Sequence, residues 1–297
     1  MDIQQSLSVL NEEQYAAVVH EGSPLLILAG AGSGKTRVIT TKIAYLINQR
    51  NVEPYSILSV TFTKKAANEM RERAIALDQR AEASMIRTFH SFGSWFLRKF
   101  SSDVGLIPSF TVYDDSDMEV LLRKAIPSLN QKEAKLAAHQ IALAKDYFLT
   151  PEDDLSILGS ELDINQIYYE YQKRLNATGN VDFGDLIMLP AQIMNEYSDI
   201  ENYIHNRFKV VMVDEYQDSN IAQYKLLQKI SGVEKNTGNY VCVVGDDDQS
   251  IYKFRGAEVQ NILSFAEKFP GTEIIKLQTN YRSTEKILDA ASIVVQK

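Results

Sequence analysis

The chain has 297 residues, 45% of them hydrophobic and 24% charged, with a formal net charge of −8. These proportions are ordinary for a globular protein with ample core, in one large or two moderate domains. Cys242 is the single cysteine, which excludes an intramolecular disulfide; no apolar run exceeds strand length, so neither a membrane span nor an export signal is expected.

The first apolar run, Leu25-Leu26-Ile27-Leu28, reads as a buried strand. It leads into Ala29-Gly30-Ala31-Gly32-Ser33-Gly34-Lys35-Thr36, a glycine-rich turn ahead of a helical stretch over 37–48. Such a turn lets consecutive backbone N–H groups close around phosphate oxygens at the positive end of the helix dipole. Lys35 is placed to reach the β- and γ-phosphates, and the Thr36 hydroxyl to ligate Mg²⁺. Ala29 stands where the usual pattern has glycine, but the flanking strand and helix supply the context that a lone glycine loop lacks.

A second run, 57–62, ends in Thr61-Phe62-Thr63, an aromatic between hydroxyls, before a basic helix start at Lys64-Lys65 and a helical stretch over 64–77. A third, 85–89, runs into Thr88-Phe89-His90-Ser91-Phe92 and repeats the theme. Residues 93–205 differ: amphipathic stretches at 117–127, 131–146, 162–175 and 184–197 are joined by polar or proline-containing turns. The strand pattern returns at 210–214, within Val213-Asp214-Glu215-Tyr216-Gln217-Asp218, whose first two carboxylates can hold a metal's water shell and orient an attacking water. A helical stretch at 220–231 and a strand at 240–245 precede Asp246-Asp247-Asp248-Gln249-Ser250-Ile251-Tyr252-Lys253-Phe254-Arg255, where acids and an amide adjoin an aromatic–basic cluster. A helical stretch at 258–268 and a strand at 274–277 end at Gln278-Thr279-Asn280-Tyr281-Arg282.

Strands alternating with helices in the outer thirds predict an α/β fold, a parallel sheet flanked by helices on both faces, with a mostly helical subdomain inserted. The loops at 29–36 and 214–218 together describe a site that binds a nucleoside triphosphate and is built to hydrolyse it. Aromatic platforms beside Arg or Lys suit stacked bases and a phosphate chain. The net acidity does not oppose this: residues 101–200 carry 7 Lys/Arg against 17 Asp/Glu, whereas 1–100 carry 12 against 9 and 201–297 carry 12 against 13.

As an ordered set, these blocks resemble superfamily 1A DNA helicases of the UvrD/Rep/PcrA type, from Leu10-Asn11-Glu12-Glu13-Gln14, similar to that family's adenine-recognising motif, to about Lys297. Gly245 to Ala257 is the most specific stretch, and Val181-Asp182-Phe183-Gly184-Asp185-Leu186 also resembles a family block. The resemblance implies a RecA-like P-loop NTPase domain 1A over 1–92 and 206–282. It implies an inserted helical domain 1B over 93–205 and the start of a second RecA-like domain, 2A, over 283–297.

By the same resemblance, ATP is held by Gln14 on adenine, Tyr281 stacked on the base, and the loop Gly30, Ala31, Gly32, Ser33, Gly34, Lys35, Thr36 and Arg37. Asp214 and Thr36 take Mg²⁺, Glu215 is the base or water-orienting group, Gln249 senses the γ-phosphate and Arg282 contacts it. Phe62, Thr63, His90, Tyr252, Phe254 and Arg255 line a single-strand track, Phe254 standing where the family often has tryptophan. The implied activity is that of an ATP-dependent 3′→5′ DNA helicase or translocase acting on single-stranded DNA and single–double-strand junctions. The setting is cytoplasmic and nucleoid-associated, with accessory repair or replication proteins as candidate partners. The family's downstream blocks, including a further arginine finger, are absent from the chain, so weak ATP hydrolysis and no unwinding are expected of it alone. Two alternatives stay open: the helicase part of a nuclease-fused recombination enzyme, and an ATP-switched binding or scaffold protein without motor activity.

Structural roles compete with some of these assignments. Tyr252 or Phe254 could pack inward, His90 could merely support its loop, and Asp246, Asp247 and Asp248 could form a solvated turn. Trp95, near Phe92 and Phe96 at helical spacing, reads as packing.

Overall fold

The computed structural model describes residues 3–246 and 260–284. Gln249, Tyr252, Phe254, Arg255 and most of the segment expected to open 2A therefore lie outside the described residues. In chain order the described strands are β1 (Leu25–Ala29), β2 (Ile57–Thr61), β3 (Met85–Thr88), β4 (Val112–Tyr113), β5 (Val181–Asp182), β6 (Val210–Val213), β7 (Tyr240–Gly245) and β8 (Glu273–Leu277). The chain divides into two compact units, one of Met1–Thr88, Tyr203–Ser219 and Ile230–Lys297, the other of Phe89–Asn202 and Asn220–Lys229.

Six strands of the first unit form one sheet in the order β3-β2-β6-β7-β1-β8, and every neighbouring pair is parallel. Parallel pairing needs crossovers, and crossovers bury both faces of the sheet, so its central strands read as continuous apolar runs. Leu25, Leu26 and Ile27 of β1, Val210 to Val213 of β6 and Val241 to Val244 of β7 are all buried, Cys242 among them. The registers Leu25↔Cys242, Ile27↔Val244 and Val213↔Val243 set the carboxyl ends of β6, β7 and β1 side by side. Ligands bind at that edge of an open α/β sheet.

The helix Lys35–Gln49 lies against this sheet through Val38, Ile39, Ile43, Leu46 and Ile47, in one apolar cluster with Ile27, Met212, Cys242 and Val244. Lys42 is buried on the same helix, and its ammonium donates to the carbonyls of Ala17 (2.9 Å), Val18 (3.2 Å) and His20 (2.6 Å). It thereby satisfies the carboxyl end of the neighbouring helix Glu12–Val19. Desolvation pulls its pKa down to about 8.

The second unit is mostly helical, with a core built from Leu121, Leu122, Ala137, Ile141, Tyr168 and Tyr171 among others. Capping boxes at Asp114 and Asn130 start the helices Asp115–Ala125 and Gln131–Asp146. The block Val181 to Leu186 has a structural reason. Lys145, fully buried, donates to Asp182 (2.6 Å) and Asp185 (2.7 Å), and Tyr171 donates to Asp182 (2.9 Å). Both carboxylates also accept backbone N–H groups from one another's residues, which satisfies the buried charges. A second device pairs the helices Phe89–Lys99 and Asp185–Glu196. Pro190 cannot donate to the Leu186 carbonyl four residues back, and that carbonyl lies where a side chain on Gly93 would begin, 1.7 Å from the position of its Cβ.

Candidate functional site

The site begins with the turn after β1. Gly32 and Gly34 have φ of +74° and +91°, a backbone that strains any other residue, and a Cβ on Gly34 would stand 2.9 Å from Gln14 Nε2. The turn is braced from within by Ser33, whose hydroxyl donates to the Gly30 carbonyl at 2.8 Å. It is braced from outside by buried Gln14, whose Nε2 donates to the Ser33 carbonyl at 2.8 Å. Asn11 caps the helix Glu12–Val19 through the Gln14 N–H (2.7 Å), and its own amide donates to the Tyr281 hydroxyl (2.9 Å). Asn11 was not singled out from the sequence; an Asn three residues ahead of Gln in Asn-Glu-Glu-Gln is a capping signature that could have revealed it.

The segment after β8 closes on the same turn. The Tyr281 N–H donates to the Gly32 carbonyl at 2.9 Å, and the Asn280 amide donates to the Ala31 carbonyl. Asn280 Oδ1 in turn accepts the N–H groups of Arg282 and Ser283, both at 2.8 Å. The rings and charges this holds are outward-facing: Tyr281 is 62% exposed, and Arg282 and Arg37 are exposed.

The acidic side of the site comes from β6 and β7. Asp214 is buried at the end of β6, and Glu215 follows in a left-handed conformation, φ +53°, that turns the chain sharply out of the strand. Lys35 reaches across to this edge. Its Nζ lies 3.3 Å from Glu215 Oε2 and 4.0 Å from Asp246 Oδ2, and the side chain is 11% exposed. Asp246 is itself buried, so it belongs to the pocket wall and not to a solvated turn. Gln217, also missed from sequence, links the two acids: its Nε2 donates to Glu215 Oε2 at 2.9 Å, and its Oε1 accepts the Asp246 N–H at 3.0 Å.

Burial, with Glu215 alongside, raises the Asp214 carboxyl to about 7; the Glu215 N–H and Lys35 oppose that rise. The same two causes raise Asp218 to about 6. A neighbouring cation would reverse such a shift, and the carboxylate of Asp214 and hydroxyl of Thr36 are the hard oxygen donors that Mg²⁺ takes. The donor set fits that ion.

The remaining candidates divide between the units. Phe62, in the first, is half-buried at the end of β2, and Thr63 caps the helix Lys64–Leu77 by accepting the Ala66 N–H at 3.1 Å. His90, in the second unit, packs edge-on against Phe183 with ring centroids 5.7 Å apart, and burial lowers its pKa to about 4. Phe183 is 52% exposed.

A glycine turn closed on a half-buried lysine, with carboxylates at the ends of the next two strands of a parallel sheet, defines a P-loop nucleotide-binding domain of RecA-like type. The sequence profile of the UvrD/REP helicase N-terminal domain matches residues 10–270, and the chain belongs to that family. It is 43% identical over 307 residues to the ATP-dependent DNA helicase UvrD1 of Mycobacterium tuberculosis, across 99% of this chain and 40% of that protein. It is 41% identical over 295 residues to the ATP-dependent DNA helicase PcrA of Staphylococcus epidermidis, across 97% of this chain and 40% of that protein. The chain thus spans about 40% of the length of these relatives.

Proposed function

We propose that this chain is the ATP- and single-strand-binding part of an ATP-dependent 3′→5′ DNA helicase or translocase. Its first unit corresponds to domain 1A and its second to domain 1B. The observation that carries the reading is Lys35: a half-buried ammonium held between Glu215 and Asp246 at the carboxyl edge of the sheet, in a turn built from left-handed glycines. That arrangement suits a triphosphate, whose β- and γ-oxygens would accept from Lys35 and from the backbone of Gly30 to Thr36. Gln14 would read adenine, Tyr281 would stack on the base, and Arg282 would meet the γ-phosphate. Mg²⁺, held by Thr36 and Asp214, neutralises phosphate charge when bound. Glu215 would orient the attacking water and accept its proton.

Phe62 and Thr63 in one unit, His90 in the other, and Tyr252, Phe254 and Arg255 are assigned to single-stranded DNA, with Gln249 relaying the phosphate state to that track. Stacked aromatics tolerate any base, which suits a translocase. The site of action is DNA in the cytoplasm, at single strands and their junctions with duplex. Among the described residues no helix is long and apolar enough to cross a membrane.

The test is Lys35→Ala in the full-length protein. ATP hydrolysis is expected to fall at least a hundredfold, while salt-sensitive binding to single-stranded DNA persists, because phosphate neutralisation on DNA does not use Lys35. Undiminished ATPase would overturn the site assignment.

A further inference from the structure

We infer that Gln217 is a positioning residue for hydrolysis. It fixes the carboxylate of Glu215 against the backbone of Asp246, so that the water-orienting carboxylate and the residue that follows β7 are set by one side chain. The inference rests on the reading of Glu215 as the group that orients water.

The amide can be oriented only one way. The Asp246 N–H can only donate, so the atom facing it is the carbonyl Oε1, at 3.0 Å. The ionised Glu215 carboxylate can only accept, so the atom facing it is Nε2, at 2.9 Å. A glutamine 2% exposed with both ends used in opposite senses resists rotation and substitution alike. The fit extends to the strand: a Cβ on Gly245 would meet Gln217 Oε1 at 2.7 Å and the Gln217 N at 3.2 Å, so a glycine at the end of β7 is what lets the amide reach Asp246.

The second consequence is stereochemical. Lys35 Nζ (3.3 Å) and Gln217 Nε2 (2.9 Å) converge on the same oxygen, Glu215 Oε2. Among the described residues neither of these donors reaches Oε1, which is therefore the oxygen turned to a water. Glu215 also sits at φ +53°, where the backbone tolerates little adjustment. Its carboxylate is held from both ends, by the strained backbone and by the Gln217 amide. A lysine drawn to phosphate leaves Gln217 as the remaining anchor on Oε2.

The experiment uses the full-length protein and four variants: Gln217→Glu, Gln217→Leu, Glu215→Gln and the double Glu215→Gln/Gln217→Glu. Gln217→Glu keeps the shape and the acceptor for the Asp246 N–H but turns the donor to Glu215 into a second carboxylate; Gln217→Leu removes both bonds. Gln217→Glu is expected to lower kcat for DNA-stimulated ATP hydrolysis at least tenfold, with KM for ATP within threefold of wild type. Gln217→Leu is expected to do the same. On a Glu215→Gln background, adding Gln217→Glu is expected to cost less than threefold more, since both changes disable one carboxylate. A merely structural glutamine gives the opposite pattern: Gln217→Glu hydrolyses normally, or its loss multiplies in full on the Glu215→Gln background. Either result overturns the inference. Lys35→Ala, assayed in parallel, separates the two failures. If it abolishes turnover while the Gln217 variants stay active, the nucleotide site stands and only the role of Gln217 falls.

Discussion

Asp214 shows how burial of an ionisable residue beside a second carboxylate costs stability. Its carboxyl titrates near 7 in the folded protein, raised by burial and by Glu215, against about 3.8 in an exposed chain. Because the folded form keeps its proton longer, lowering the pH through that interval favours the fold, and above pH 7 the cost is present in full. Asp214→Asn is therefore expected to stabilise the protein by about 1–3 kcal/mol at pH 8, with the gain shrinking as pH falls toward 5. Urea-unfolding midpoints of both proteins at pH 8 and pH 5.5 measure this; a gain that grew on acidification would contradict it. Hydrolysis should be lost in the same variant at every pH.

At the level of elements, one helix governs another through Lys42. Its three carbonyl bonds join the helix Lys35–Gln49, which opens with Lys35, to the end of Glu12–Val19, which carries Gln14. Lys42→Met leaves those buried carbonyls short of a donor and is expected to destabilise the protein by about 2–3 kcal/mol. Because Gln14 moves with its helix, KM for ATP should also rise while kcat changes little. Steady-state kinetics at saturating DNA separate the two effects, and an unchanged KM would detach Gln14 from base recognition. The strands of the main sheet were legible in the sequence within a residue or so, because strands buried on both faces must be apolar throughout. Helices over 64–77 and 131–146 were equally plain from their apolar spacing. The two-residue strands β4 and β5 were not, since so short a pair has no periodicity, and β5 is held by the Lys145–Asp182–Asp185 cluster, in which Lys145 lies far from the two acids in sequence. In the site, Lys35, Asp214 and Glu215 could be named from local motifs. Gln217 and Asn280 act through contacts that only folding creates, Asn11 meets Tyr281 only in the fold, and a solvated turn stayed open for Asp246 because it stands among three consecutive acids.

For the whole molecule, the order β3-β2-β6-β7-β1-β8 has a consequence in time. Both edges of β1 are filled by strands encoded far downstream: Leu25 pairs with Cys242 on one side and with Glu273 on the other. A ribosome adding roughly 5–20 residues per second must work on the order of ten to forty seconds after making β1 before β7 exists. Through that interval the phosphate loop hangs from an unpaired apolar strand, an aggregation hazard that calls for shielding by a chaperone or the ribosome surface. Arrested nascent chains should report it: cleavage by a protease within residues 25–88 is expected in chains halted before residue 240, and resistance once β7 and β8 have both emerged. The loop after β1 thus waits for its neighbours β7 and β8 through the synthesis of more than two hundred residues, although it is itself among the first segments to be translated.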